Sequence, residues 1–247
     1  MELAAPVVAG PVVALGEDLS GQSVGLLYAG MAVLSLALVV AGIYAERRRR
    51  AELRAWAATA GWTYHGVDAT LVNRWRGTPF GVGNTRRATE VVSGPVGDRH
   101  AISFKYQYVT GSGKNRTRHT RHVVAVFLPR LLPVLELTPD GIAAKLVKAF
   151  GGQDIRFESE AFNRAWRVSS EDPRFAHDIV NPRTMERLLL PDVAGTCIRF
   201  AGDAVLTWSS GRPKTENIVP RATILDGLVD AVPAYVWEDR GYYAGGR

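Results

Sequence analysis

The sequence predicts an α+β fold: one N-terminal transmembrane helix, then a cytoplasmic domain of antiparallel strands with several short helices. Three observations lead there. Val24 to Tyr44 carries no charge and is followed by Arg47, Arg48, Arg49 and Arg50. Residues 102–108 alternate apolar and polar with the period of two expected of a strand. Strand-like runs dominate the first half, and in the second helical spacings alternate with hairpin patterns, the order of an α+β domain.

Taken in order, residues 1–23 read as a short extracytoplasmic segment. They hold Glu2, Glu17 and Asp18 and no Lys or Arg, so they lack the positive opening of a signal peptide. Residues 24–44 form the span, since a helix rising about 1.5 Å per residue covers about 30 Å with that run, the thickness of a hydrocarbon core. Acidic residues before it and four arginines after it place the N-terminus outside and the rest in the cytoplasm, at the plasma (inner) membrane. Arg47 to Arg50 thus determine topology. Gly21, Gly25 and Ala29 repeat every four residues, a ladder through which two such helices can approach as a homodimer. Residues 45–61 read as a basic helical stalk, with Leu53, Trp56, Ala57 and Ala60 on one face and Gly61 as terminator.

The cytoplasmic domain, residues 62–247, opens with a strand at Thr63 to His65. Thr89–Val92 and Ala101–Val109 flank a Gly94-Pro95-Val96-Gly97-Asp98 turn. In the second strand Ile102, Phe104, Tyr106 and Tyr108 are expected inside, and Ser103, Lys105 and Gln107 on a wet face. His122 to Leu128 is continuously apolar and reads as a central strand. A helix at Gly141–Phe150 and strands at Asp154–Glu158 and Ala165–Val168 follow. Asp172 caps a helix with Pro173 at its first position, and Asn181-Pro182 starts another, buried through Met185, Leu188 and Leu189. Thr196–Phe200 and Ala204–Trp208 read as a hairpin about Gly202-Asp203. Ile224, Leu225, Leu228, Val229 and Val232 mark a last amphipathic helix ended by Pro233.

The chemical inventory is mostly negative. The sequence holds no zinc-protease, serine-hydrolase or dinucleotide motif. Gly111-Ser112-Gly113-Lys114 is followed by Asn115 and lacks the earlier glycine of a phosphate loop. The single Cys197 lies in an apolar run and reads as buried, and one cysteine forms neither an intrachain disulfide nor a Cys-x-x-Cys metal site. His119 and His122 fall on opposite faces of one strand, so they do not converge on a metal. No cofactor or metal is expected, and a non-enzymatic role is favoured. The rival is a membrane-tethered enzyme built from separated residues, with Glu158, Glu160 and His177 as candidates; Glu158 and Glu160 are placed on one strand face with Arg156, where ion pairing is their simpler role.

Charge supplies the strongest lead. The chain carries +6, and the residues before Ala45 hold three acids and no Lys or Arg, so the part from Ala45 onward carries +9. Between Asp98 and Glu136 lie Arg99, Lys105, Lys114, Arg116, Arg118, Arg121 and Arg130 without one acid. Lys114, Arg116, Arg118 and Arg121 crowd one expected hairpin tip and are the candidate contacts for anionic headgroups or an acidic protein. No aromatic residue interleaves them, which argues against nucleic acid.

Glu160-Ala161-Phe162-Asn163-Arg164-Ala165-Trp166-Arg167-Val168, with Asp172 to Ala176 and Pro182 to Met185, resembles a bacterial family of uncharacterised single-span membrane proteins. The similarity runs from about Trp62 to Pro233. It implies an α+β cytoplasmic domain on a membrane anchor and carries no catalytic residue with it. Together these readings make the chain a membrane-anchored binding or scaffolding module.

Overall fold

A computed structural model describes residues 14–140 and 153–239. The helix expected at Gly141–Phe150 lies outside the described residues. The chain divides into two compact units that meet between Glu52 and Leu53. In the first, helix α1 (Ala14–Thr59) begins at Ala14, ten residues before the expected span starts at Val24. Its apolar stretch from Val24 is long enough to cross a membrane and has none of its span buried against protein. Leu26, Leu27, Leu34, Leu36 and Leu38 are all exposed. The arginine run is braced within the helix by Arg48 to Glu52 at 2.9 Å and Arg50 to Glu46 at 3.3 Å. Such exposed i,i+4 pairs contribute only about 0.3–0.5 kcal/mol each.

The second unit includes the last turns of α1. Leu53 and Ala57 are buried with Trp62, and Gly61 follows the helix at φ +71°. Trp62 lies flat on β2 (Asn84–Val96): a Cβ at Gly94 would come within 2.4 Å of its ring. Only glycine leaves that room, so the domain core starts at the helix end.

The domain is one antiparallel seven-stranded sheet. The order is β1 (Thr63–Val67), β2, β3 (Arg99–Thr110), β4 (Thr117–Pro139), β6 (Trp166–Ser170) and β5 (Gln153–Ile155), with β7 (Cys197–Ser210) also on β4. β4 is the central strand: residues 117–126 pair with β3, residues 135–139 with β6, and β7 follows it from Arg121 to Leu137. Short helices fill in the rest: α2 (Glu160–Ala165), α3 (Pro173–Ile179), α4 (Pro182–Leu188), α5 (Ile218–Asp230) and α6 (Ala234–Asp239). Asp172 accepts from the Arg174 and Phe175 amides, and Asn181 from that of Thr184. α3 buries Phe175, Ala176 and Ile179, as its spacing predicts.

Four local expectations change. Gly202-Asp203 is no hairpin turn: β7 is one strand, and Gly202, at φ +62°, sits opposite Leu132 in a bulge. The cause is β4, where Pro129 and Pro133 cannot donate ladder hydrogen bonds and the register slips between Phe127 and Leu135. The β2–β3 turn shrinks to Gly97-Asp98, because Gly94, Pro95 and Val96 pair with Ala101, His100 and Arg99. The strand expected at Asp154–Glu158 stops at Ile155. Leu189, expected inside, is exposed, while Leu188 is buried.

The sheet is covered on both faces, which overturns the wet face expected for β3. One face, with Val92, Val124, Val126, Phe200 and Val205, is packed by α3, α5 and the end of α1. The other, with Phe104, Tyr106, Val123, Leu206 and Trp208, is packed by Leu71, Trp75 and Phe80 from the β1–β2 connection. Ser103 and Lys105 are therefore buried under the helical layer. Lys105 is neutralised by Glu90 of β2, as a buried charge requires.

Candidate functional site

The basic tip is built by backbone necessity. Gly111, at φ +78°, would place a Cβ 2.2 Å from the Asn115 carbonyl oxygen, so only glycine closes this turn. A single 3-10 turn, Gly113–Asn115, then carries Lys114 at the apex. Lys114, Arg116 and Arg118 are exposed. Arg121 is half-buried and donates to the Ser210 hydroxyl at the end of β7.

The other three cations of the acid-free block are not available. Arg99 pairs with Asp226 at 2.6 Å and Asp230 at 2.7 Å, both on α5. Lys105 pairs with Glu90, and Arg130 donates to the Trp237 carbonyl at 2.7 Å. An unbroken run of positives in sequence thus splits into paired and unpaired groups. In return the sheet brings in cations from elsewhere. Arg87 of β2 stands opposite Gln107, and the Gly211 amide bonds to the Thr120 carbonyl at 3.0 Å. That bond holds Gly211, the residue before Arg212, beside Thr120 of β4. Arg86-Arg87 at a strand start was the available sequence signal. Without the register nothing connected it to the tip.

Behind the tip, under the helical layer, lies a polar row. The His122 Nε2 is 2.9 Å from the Ser103 hydroxyl, and its Nδ1 is 3.2 Å from an Arg221 guanidinium nitrogen. Arg221 can only donate, so Nδ1 carries a lone pair and Nε2 the proton. Burial, and then the Arg221 charge, pushes the imidazole down to about 3. Arg221 also donates to Ser209 at 2.8 Å. His119 lies on the opposite face, stacked on Tyr108 at 4.8 Å and 2.8 Å from the Thr110 hydroxyl.

On the far face Arg199 is fully buried. It donates to the Arg76 and Thr78 carbonyls at 2.8 Å each and to Glu136 at 2.9 Å, fixing the β1–β2 connection to the sheet. Burial raises Glu136, and the Arg199 charge opposes that shift. Beside this connection is an open cavity of about 560 Å³ walled by Trp75, Arg76, Thr78, Phe80 and Arg86. Cys197 is buried and its thiol pushed up to about 11, chiefly by that burial. It is a thiol at neutral pH and no nucleophile.

The candidate acids separate. Glu158 lies beyond β5 and Glu160 starts α2, paired with Arg164 at 3.8 Å, so the shared strand face does not exist. Glu158 and His177 do line one open groove of about 420 Å³, floored by Phe157, Val180 and Met185. Among the described residues no cluster of His, Cys, Asp or Glu could hold a metal ion.

No family model matches the chain, and no curated protein does. Among solved structures, the crystal structure of the mycobacterial trehalose monomycolate transport factor A is similar. Its TM-score is 0.52 and its identity 18%, and the match covers 75% of this chain and 95% of that one. At that identity the likeness is one of fold: the two chains share an α+β architecture.

Proposed function

We propose that the chain is a membrane-anchored binding module whose basic sheet end docks an acidic partner, with the N-terminus outside and the domain in the cytoplasm. The observation that carries it is the contrast within one block of cations. Where Arg99 and Lys105 found carboxylates, Lys114, Arg116 and Arg118 stand exposed and, among the described residues, without an ion pair. Unpaired charge gathered on one end raises the local concentration of anions and speeds their encounter. Arg47 to Arg50 supply the orientation. The ladder of Gly21, Gly25 and Ala29 is the seam for a homodimer. The structural neighbour's name, a transport factor, agrees with a protein that acts by binding.

The test uses the full chain in phosphatidylcholine nanodiscs. Charge reversal of Lys114, Arg116, Arg118 and Arg121 to Glu abolishes low-salt binding of polyglutamate, the acidic-protein probe, and of phosphatidylserine vesicles if headgroups are the partner. Unchanged binding of both rejects the reading. Orientation is read separately: a cysteine placed near the carboxyl end stays unlabelled in intact cells by a thiol reagent that cannot cross lipid.

The groove shared by Glu158 and His177 favours one second reading, a tethered enzyme using that pair for proton transfer. It predicts a hydrolytic or transfer activity that His177→Gln and Glu158→Gln each reduce by about 100-fold or more.

A further inference from the structure

We infer that the basic sheet end contains a site for a phosphomonoester group, formed by Arg87, Arg118, Thr85 and Gln107. This rests on the docking reading above and names what the partner presents there.

Arg87 stands opposite Gln107 across β2–β3, and Arg118 opposite Val109 across β3–β4. Cross-strand partners share a face, and Gln107 and Val109 share one by the period of two. The two arginines therefore rise from the same face on either side of β3, two strand spacings or roughly 10 Å apart across the sheet. Long side chains from such positions converge on an object between them. Between them is a cavity of about 130 Å³, lined by Thr85, Arg87, Gln107, Tyr108, Val109 and Arg118. A water takes about 30 Å³ of liquid, so the space suits one tetrahedral oxyanion and is too small for a drug-sized ligand.

The lining is rich in donors. Each guanidinium offers N–H groups in a planar fork that matches phosphate oxygens. The Gln107 amide gives one N–H to Thr120 at 3.2 Å and keeps its second, and Thr85 adds a hydroxyl. Among the described residues neither Arg87 nor Arg118 is ion-paired, so two like charges face one space and an anion between them relieves the repulsion. Its wall is fixed by the backbone: Gly83, at φ +68°, lets β2 close on β3 so tightly that a Cβ there would lie 2.3 Å from the Val109 carbonyl oxygen. A carboxylate offers two oxygens and one charge to this set. A monoester offers three oxygens and nearly two charges.

The full chain in phosphatidylcholine nanodiscs is titrated calorimetrically with glycerol 1-phosphate, inorganic phosphate and acetate. Expected is saturable binding of glycerol 1-phosphate, at least tenfold weaker for acetate, and weakened tenfold or more by Arg87→Gln and by Arg118→Gln. Arg183→Gln, on α4 and outside both the basic tip and the cavity, leaves it within twofold. Absence of saturation, tighter binding of inorganic phosphate than of the monoester, or equal weakening by Arg183→Gln overturns the site. The two ideas fail separately. Polyglutamate binding without monoester binding sinks the site and leaves the docking reading standing, and the converse sinks the docking reading alone.

Discussion

The two ends of β3 carry similar charge and put it to different use. At the Gly97-Asp98 end, Arg99 is clasped by Asp226 and Asp230 from α5, and within the strand Lys105 is buried against Glu90. At the Gly111 end, Lys114, Arg116 and Arg118 meet solvent. Cations at the first end tie α5 and β2 to β3. Those at the second make no ion pair among the described residues, and a charge that does not serve the fold is open to serve a partner.

The sharpest way to break this comparison is to treat the two ends alike by mutation. Glu90→Ala takes the pairing carboxylate away from the buried Lys105 ammonium, and breaking such a pair costs about 3–5 kcal/mol. Urea denaturation of the full chain in detergent should show a loss of that size. Next comes Gly94→Ala, which drives a methyl group into the Trp62 ring and should cost about 1–3 kcal/mol by the same measurement. It breaks the seat of the first core residues after α1 and leaves the basic end untouched.

A smaller effect comes from pH. His122 is held neutral, at about 3 in the fold against 6.5 when exposed, chiefly by burial. A histidine with a depressed folded value contributes stability that is complete above about pH 6.5 and lost as pH falls from there toward 3. Unfolding midpoints should therefore be flat above about pH 7 and decline from about 6.5 to 5, a decline that His122→Gln removes. Smallest is the tip. Lys114→Glu, Arg116→Glu and Arg118→Glu together should move stability by no more than about 0.5 kcal/mol per site, as exposed substitutions do.

How much of this was legible in the sequence depends on whether the signal was local. The apolar span, the Asp172 and Asn181 caps and the central run His122 to Leu128 depend on near neighbours, and each has its element in the fold. Gly202-Asp203 misled because a glycine with positive φ serves a bulge as well as a turn, and the deciding prolines lie some seventy residues earlier in β4. Ser103 and Lys105 look like a solvent face until α5, more than a hundred residues later, covers them. The candidate site divides the same way. Lys114, Arg116, Arg118 and Arg121 were visible as a run, whereas Arg87 joins them only through strand register.

One measurement bears most directly on the claim that these tip cations exist to bind and not to fold. The Lys114→Glu, Arg116→Glu, Arg118→Glu chain and the wild type are compared side by side for unfolding midpoint and for polyglutamate binding at low salt. The account predicts an unchanged midpoint with binding lost. Intact binding, or binding lost only together with stability, would contradict it.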